Sequence, residues 1–386
     1  GEACSDIERL RSQPALFGEV ASDSTLYRQL TSIDADDLDR LRAAVAAVRC
    51  QVWSRSSATT GNGPVVLDVD ASLVDIHSEN KEGTAANYKG SFGFAPMFCF
   101  ADATGEALAV RLRPGNATAN SIADQLEVVD DALSQLPPEI GRGHGKGDRR
   151  RRRRRAVIVR ADSAGGTRGF AAELRARNVG FSVIARKEAQ VASAISAAAG
   201  EAGRWRRALT QGGEEREGAA VAELTDLVDL SGWPEGTRLI VRREPLHPGA
   251  QTTLFPDLEF RYWGHYTDGD LDPVEADVFM RAHAHVEDRI KTIKASGGDR
   301  FPFADLDANK TWLWLVCAGA DLVRWFQLLC LAGRLAVAEP KTLRWQLWHT
   351  PARVIRRARR VVVRVLDGWP EGNQLSNAYR RIALLA

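Results

Sequence analysis

An α/β fold on a mixed sheet is what the sequence predicts, from a helical start, the order of the apolar runs after it and the turn residues between them. Residues 1–62 read as a helical N-terminal region. Leu38, Leu41, Val45 and Val48 share one face of a helix that Asp34 is placed to cap, and a polar, glycine-containing linker follows at 54–63. Three strands then meander over 65–70, 92–100 and 107–112, the last two joined by a turn at 102–106. A helix opens at Asn120, carries Ile122, Leu126, Val129, Leu133 and Leu136 at helical spacing, and stops at Pro137-Pro138. After a glycine- and arginine-rich loop at 141–155 come a strand at 156–161 ending on Asp162, a helix begun by Gly165-Gly166 with Phe170 and Leu174, and a strand at 181–185.

Three meandering strands followed by alternating helices and strands pack as a mixed sheet with helices on its faces. This is the order of the ribonuclease H-like fold. The stretches 221–224, 238–243 and 258–266 are strand-like but irregular and read as a β-rich insertion. Residues 275–295 are helical again, with Phe279, Ala282, Val286, Ile290 and Ile293 on one face. The expected division is a helical region at 1–62, the first part of the sheet core at 63–200, the insertion at 201–266, the rest of the core with the helix of 275–295 at 267–335, and a basic tail at 336–386.

Hydrophobic residues make up 44% of the 386, enough for a substantial core. The formal net charge is only +2, but its distribution is uneven. Residues 142–160 hold ten Arg or Lys against one acid, and 341–386 hold ten against two, so the remainder is net acidic. Such segregation suits a protein that lays basic surface on a polyanion. Arginine outnumbers lysine 44 to 8, so biased codon usage or solvated loops explain either run equally well. The five cysteines, Cys4, Cys50, Cys99, Cys317 and Cys330, form no C-x-x-C pair, which argues against a zinc ribbon or disulfide scaffold and for a reducing cytoplasm. The apolar stretch 312–331 contains Asp321 and Arg324, which reads as a core helix with an internal i,i+3 ion pair; no membrane partner is expected. A first residue Gly1 and only two methionines, Met97 and Met280, suggest a piece or a processed form of a longer chain.

The chemistry-bearing residues are acids at strand ends. Asp68 and Asp70 lie two apart in VVLDVDASLV and project from one face of a strand. Burying them unpaired is costly, and a Mg²⁺ ion, which takes few carboxylates plus water and phosphate, would offset that cost. Asp162 ends a strand before a glycine pair; capping the next helix is the competing role. Glu287 lies at the edge of its helix's apolar face, with Lys291 and Lys294 following on the same flank; an ordinary i,i+4 Glu–Lys pair is the competing role. His283 and His285 are two apart, whereas a zinc pair needs i,i+4 spacing. The G-x-G-x-G at 141–145 lacks the Lys-Ser/Thr of a phosphate loop.

Along nearly its whole length the sequence resembles the DDE transposases of the bacterial insertion sequence 1380 family, within the insertion sequence 4-like group. The stretches that carry the resemblance are LFGEVASDSTLYR (16–28), LDVDASLVDIHSENKEG (67–83), YKGSFGFAPMFCF (88–100), LRPGNATAN (112–120), VRADSAGG (159–166), GWPEGTRLIVRRE (232–244) and HVEDRIKTIK (285–294). The resemblance implies a ribonuclease H-like core with a β-rich insertion, and two Mg²⁺ or Mn²⁺ ions held by Asp, Asp and Glu. Asp70 maps onto the first acid, with Asp68 its competitor as a metal ligand; Asp162 and Glu287 map onto the others. The wider group's helix signature, Tyr-x₂-Arg-x₃-Glu-x₆-Lys, keeps Glu287 and Lys294 but holds Met280 and His283 at the Tyr and Arg positions. Arg281, Arg242 or Arg243 are the substitutes considered for that arginine.

The reaction implied is metal-dependent cleavage at transposon inverted-repeat ends followed by strand transfer into target DNA, by a homodimer, in the bacterial cytoplasm at the nucleoid. Lys291, Lys294, Arg242, Arg243, Arg356, Arg357 and Arg360 are the expected DNA contacts. The seven-arginine run 149–155 has no assigned role. Two other readings stay open. VVLDVDASLV also fits the haloacid dehalogenase-like phosphatase motif, with Asp68 as nucleophile and the acids of 267–272 as late metal ligands. A catalytically dead DNA-binding remnant is the other.

Overall fold

The computed structural model describes residues 3–59, 63–78, 80–147, 156–186, 188–246, 260–358, 360–366 and 368–385. The run 149–155 lies outside them. The centre is a nine-stranded mixed sheet. Its strands are β1 Val65–Ala71, β2 Met97–Ala101, β3 Ala107–Arg111, β4 Val157–Ala161, β5 Gly180–Ile184, β6 Arg206–Leu209, β7 Glu215–Glu223, β8 Arg238–Pro245 and β9 Phe260–Thr267, in the spatial order β3-β2-β1-β4-β5-β9-β8-β7-β6. β1, β2 and β3 form an antiparallel meander, while β4 and β5 run parallel to β1. The fold is therefore mixed α/β, as expected. The stretch read as an insertion does not form a sheet of its own. β9 pairs with β5 through His265–Ile184, Tyr266–Val183 and Thr267–Ser182, so β6–β9 prolong the central sheet.

The helices used below are α1 Asp23–Thr31, α2 Ala35–Arg55, α3 Ile122–Ser134, α4 Arg168–Ala176, α5 Ala189–Ala198, α6 Pro273–Arg281, α7 His285–Ile293, α8 Leu306–Cys330 and α9 Gly372–Leu385. Asp34 does cap α2, accepting from Asp37 N at 2.8 Å, and the helix runs on to Arg55, past the expected linker start. The single strand expected at 92–100 is two. Phe92–Phe94 belongs to a small three-stranded sheet and β2 starts only at Met97, because Pro96 between them has no N–H for a ladder. The helix expected at 275–295 is likewise broken, by a 3-10 turn at Ala282–Ala284 between α6 and α7.

Strand alternation sorts β1 onto two cores. Leu67 and Val69 join the cluster formed with Val129 of α3, Phe170 of α4, Val159 and Phe181. Asp68 and Asp70 face the other way, toward the cluster of Phe98, Phe100, Val286, Ile290, Phe303 and Leu313 that packs α7 and α8 on the sheet. One face of β1 thus buries hydrocarbon, and the other carries acids beneath the helix that bears Glu287.

α8 is long and apolar enough, with mean hydropathy 1.4, to cross a membrane by length and composition. It packs against β3, α2 and α9. The expected internal pair in this helix is corrected. Asp321 binds Arg49 Nη2 of α2 at 2.9 Å and the Ala107 amide at 2.8 Å, while Arg324 donates to Thr104 O at 2.9 Å. Fully buried Asp321 needs a fully buried cation, and Arg49, 1% exposed, supplies it.

Candidate active site

Asp70 and Asp162 are neighbours because of strand register. β1 and β4 pair in parallel up to Val69–Ala161, so the next residue on each strand is one of these acids. Both line a cleft of about 420 Å³ shared with Ser72, Lys89, Asn116 and Thr118. Asp162 also walls a second cavity of about 570 Å³ with Asn120, Arg186 and, from β9, Tyr262 and Trp263. The competing role for Asp162 is excluded: Thr167 caps α4, accepting from Phe170 N, whereas Asp162 accepts from Ala164 N at 2.9 Å within its own tight turn.

That turn needs its glycines. A Cβ on Gly166 would lie 2.1 Å from the carbonyl oxygen of Ile184, and one on Gly165 would lie 2.5 Å from the Ala161 Cβ. The first is a clash with sheet backbone and cannot be relieved by a rotamer change. Gly166→Ala is expected to destabilise the fold by roughly 1–3 kcal/mol, as overpacking does, and to shift the Asp162 carboxylate. Urea unfolding measures it; an unchanged midpoint would show that the turn has room.

Burial raises Asp70 to about 6, with the adjacent Asp162 next in importance and Glu287 adding to the rise; the Ala71 amide and His283 pull the other way. All three expected acids therefore act on one point at the carboxyl ends of β1 and β4. Glu287 is exposed in the first turn of α7. Its competing role is also excluded, since Lys291 pairs with Glu339 at 3.5 Å instead. Among the described residues no three His, Cys, Asp or Glu side chains stand close enough to hold an ion together, so Glu287 must swing inward for a shared cation. The donor set itself, three carboxylates of which Asp70 has its pKa raised by burial and by Asp162, fits a hard divalent ion.

Asp68 behaves differently. It is fully buried with both oxygens engaged: Arg160 Nε and Nη2 lie at 2.8 and 2.9 Å, Arg289 Nη1 at 2.9 Å and His283 Nδ1 at 2.9 Å. Burial alone would raise its pKa, but the hydrogen bonds from His283 and Arg160 outweigh it and hold it at about 2. Arg160 and Arg289 also grip Asp102, at 3.0 and 2.6 Å, closing a network of two acids and two arginines. The expectation of Asp68 as a metal ligand is corrected on this ground: both its oxygens are occupied. The same contacts remove it as a phosphatase nucleophile. Of the acids at 267–272, Asp268 accepts from the Phe181 amide and pairs with Arg175, and Asp272 caps α6. Arg160, Asp102 and Arg289 were missed in the sequence. The available signal was position: Arg160 is the register partner of Asp68, and Arg289 lies two residues beyond Glu287.

The family model described as "Transposase DDE domain group 1" matches residues 1–386. The chain belongs to that family of transposase domains. No curated protein matches it. Among solved structures, it is similar to the piggyBac transposase in a cryo-EM synaptic complex with hairpin DNA, at 9% identity and a TM-score of 0.36, over 69% of this chain and 47% of that one. The chain thus spans about half the length of that transposase.

Several residues expected to meet DNA have other work in this transposase domain. Arg242 is buried, bound to Asp277 at 2.9 Å and stacked 4.9 Å from the Trp263 ring. Arg243 is half-buried between Trp205 and Phe260, 4.4 and 4.8 Å from their rings. Arg281 binds Asp277 at 2.9 Å as well as the carbonyl of Leu209. Arg242 and Arg281 hold the β-rich strands to α6, and Arg243 packs between two rings, so Arg242 and Arg243 are corrected as DNA contacts. Met280 is core, its sulfur accepting from Ser182 Oγ. Lys294 is half-buried and donates to Leu73 O at 2.7 Å, at the cleft's edge, and desolvation lowers its pKa. Lys291 remains exposed.

The basic tail contains a hairpin, β10 Ala352–Arg357 and β11 Arg360–Val365. Arg353 faces Arg364 and Arg357 faces Arg360 on one side of it, two like-charge pairs that cost free energy unless an anion lies across them. Arg356 is on the other side and donates to Ala15 O at 2.8 Å.

Proposed function

We propose that this chain is the catalytic part of a DNA transposase of the insertion sequence 1380 type, cutting and joining DNA with divalent ions held by Asp70, Asp162 and Glu287. The observation that carries it is the electrostatic convergence of those three acids on Asp70, at the ends of two adjacent parallel strands. The strand order β3-β2-β1-β4-β5, with only β2 antiparallel to the rest, supports a ribonuclease H-like core. Two bound Mg²⁺ or Mn²⁺ ions would activate the attacking water or 3′-hydroxyl and stabilise the departing 3′ oxygen.

The protein's own contribution is placement. Asp70, whose pKa is raised by burial and then by Asp162 and Glu287, would bind a divalent ion in its ionised form, and the ion's charge would offset both effects. Gly165 and Gly166 fix Asp162, and Lys294 ties the end of α7 to the loop after β1. Arg353, Arg357, Arg360 and Arg364 on the hairpin and Lys291 on α7 would track phosphates without reading bases. Assembly as a homodimer on paired inverted-repeat ends, in the bacterial cytoplasm at the nucleoid, completes the reading.

The test is strand cleavage of insertion-sequence end DNA in Mg²⁺. Wild type should nick and Asp162→Asn should not, while both bind DNA with equal, salt-dependent affinity. Wild-type cleavage by the variant sinks the assignment. Binding with no nicking by either protein points to the DNA-binding remnant.

A further inference from the structure

Tyr88 and Lys89 line the same cleft as Asp70 and Asp162. They sit at the tip of the hairpin that joins Ala85–Ala86 to Phe92–Phe94 in the small three-stranded sheet. Tyr88 is 83% exposed. Lys89 is exposed too, and its ammonium, 5.8 Å from the Tyr88 ring, makes no ion pair among the described residues. The turn beneath them is held firmly. Asn87 is buried; its Oδ1 accepts from the Lys89 and Ser91 amides at 2.9 and 3.3 Å, and its Nδ2 donates to Ser91 Oγ at 2.6 Å. Ser91 Oγ in turn donates to Asp75 on the neighbouring strand. Gly90, at φ 82°, closes the turn by donating to Asn87 O at 3.1 Å. The facing wall is fastened to the same sheet: Gly115 donates to Gly93 O at 2.9 Å, and Asn116 and Thr118 follow it along the lining. Of the two cations among the described lining residues, Arg113 is committed to Ala95 O and Asp124, which leaves Lys89 for a ligand.

A ring and a free ammonium side by side suit one kind of ligand. The cleft, about 420 Å³, has the volume of a site for one small organic group and cannot admit a duplex. Within a duplex both faces of a base are stacked and only its edges are accessible. An unstacked nucleotide offers a face for an aromatic ring and a phosphate for a cation. We propose that Tyr88 and Lys89 form a subsite for one unstacked nucleotide of the DNA strand being cut, beside the phosphate that meets Asp70 and Asp162. The inference rests on the three-acid reading above. Tyr88 stacks on the base, Lys89 holds its phosphate, and the Asn87 turn sets both before DNA arrives. The substrate must therefore unstack at the cleavage point. End DNA that is mismatched there should be cut faster than fully paired DNA, because the unstacking then costs less.

The experiment photocrosslinks the metal-free full chain to insertion-sequence end DNA carrying 5-iododeoxyuridine at single positions flanking the cleavage point, and maps the adduct by mass spectrometry. From one of those positions the adduct should fall on Tyr88. Tyr88→Ala should lose it and, in Mg²⁺ at saturating DNA, cut about 10–100-fold more slowly, the rate equivalent of one base–aromatic stack. Its affinity for the paired end should hardly change. Tyr88→Phe keeps the ring face and should cut at close to the wild-type rate. Lys89→Ala should lower the salt dependence of binding by about one phosphate contact. The mismatched end should speed wild type and help Tyr88→Ala less. Both side chains are exposed, so these variants keep the fold. No adduct on Tyr88, or wild-type cleavage by Tyr88→Ala, overturns the subsite and leaves the three acids standing. Wild-type cleavage by Asp162→Asn overturns the three-acid reading and the subsite with it.

Discussion

Asp70→Asn is expected to abolish metal-dependent cleavage and, without metal, to make the protein more stable. Asp70 sits where burial and the Asp162 and Glu287 carboxylates oppose its charge, and its pKa rises from 3.8 to about 6. The sign follows from linkage. The folded state holds a proton on Asp70 over a range where the unfolded chain has lost it. The stability this contributes is complete below about pH 4 and is lost as pH rises through about 6. Above that the wild type keeps an ionised acid against its neighbours, at a cost of at most about 3 kcal/mol, less because Asp70 is only half-buried and water screens it. The asparagine variant has no such cost. With a chelator present, its melting temperature should exceed that of wild type above pH 6, and the two should converge near pH 4. Mg²⁺ should raise the melting temperature of wild type, since a ligand of the native state stabilises it by mass action, but not that of Asp70→Asn. Cleavage should fall roughly 10³-fold, the rate equivalent of the several kcal/mol that metal stabilisation of the transition state supplies. Equal melting curves for the two proteins at pH 8 in chelator would show that the acids do not repel one another in the native state.

The order of elements along the chain was legible in the sequence because local patterns carry it. The apolar runs of β1, β4 and β5, the Pro137-Pro138 stop and the Gly165-Gly166 turn are all short-range signals. The acids proposed as catalytic were legible only in part. Neither Asp162 nor Glu287 differs in its own peptide from a helix cap or a surface ion pair. Register separates them from those roles: Asp162 is brought beside Asp70, the cap goes to Thr167, and Lys291 is drawn to Glu339. Asp68 shows the opposite failure. Its spacing from Asp70 put it on the right face, but spacing says nothing of what arrives from elsewhere, and Arg160 and Arg289 reach it from β4 and α7. The arginines near 242 misled for the same reason. A basic pair in sequence is indistinguishable from a DNA contact until Asp277 and the rings of Trp263, Trp205 and Phe260 are placed against it. Non-local partners decided every one of these cases.

The largest stability effect belongs to Arg49, which no local pattern marks. Its guanidinium gives Nε to Glu106 at 2.8 Å, Nη1 to Gln135 at 2.9 Å and Nη2 to Asp321 at 2.9 Å, and lies over the Trp325 ring. Trp53 and Trp325 each donate to Glu106 at 2.6 Å. One fully buried arginine therefore joins α2, the β2–β3 turn, the end of α3 and α8. Arg49→Met keeps much of the hydrocarbon and removes the charge, leaving Glu106 and Asp321 buried together. Breaking a buried pair this way costs about 3–5 kcal/mol, which is about 4–6 °C in melting temperature for a cooperative unit of this length. Burial, reinforced by Glu106 and opposed by Arg49, already raises Asp321 to about 8. Without Arg49 the rise is steeper, so the folded state must hold protons that the unfolded chain releases. The contribution is lost as pH rises through the folded-state value, and the damage should be greater at pH 9 than at pH 6. The double variant Arg49→Met, Glu106→Gln removes one charge of each sign and should recover part of the loss, because a single buried acid is easier to neutralise than two. Denaturant midpoints for the three proteins at both pH values measure this. A loss that does not grow with pH would mean that Glu106 and Asp321 find other cations, and that Arg49 acts there through packing alone.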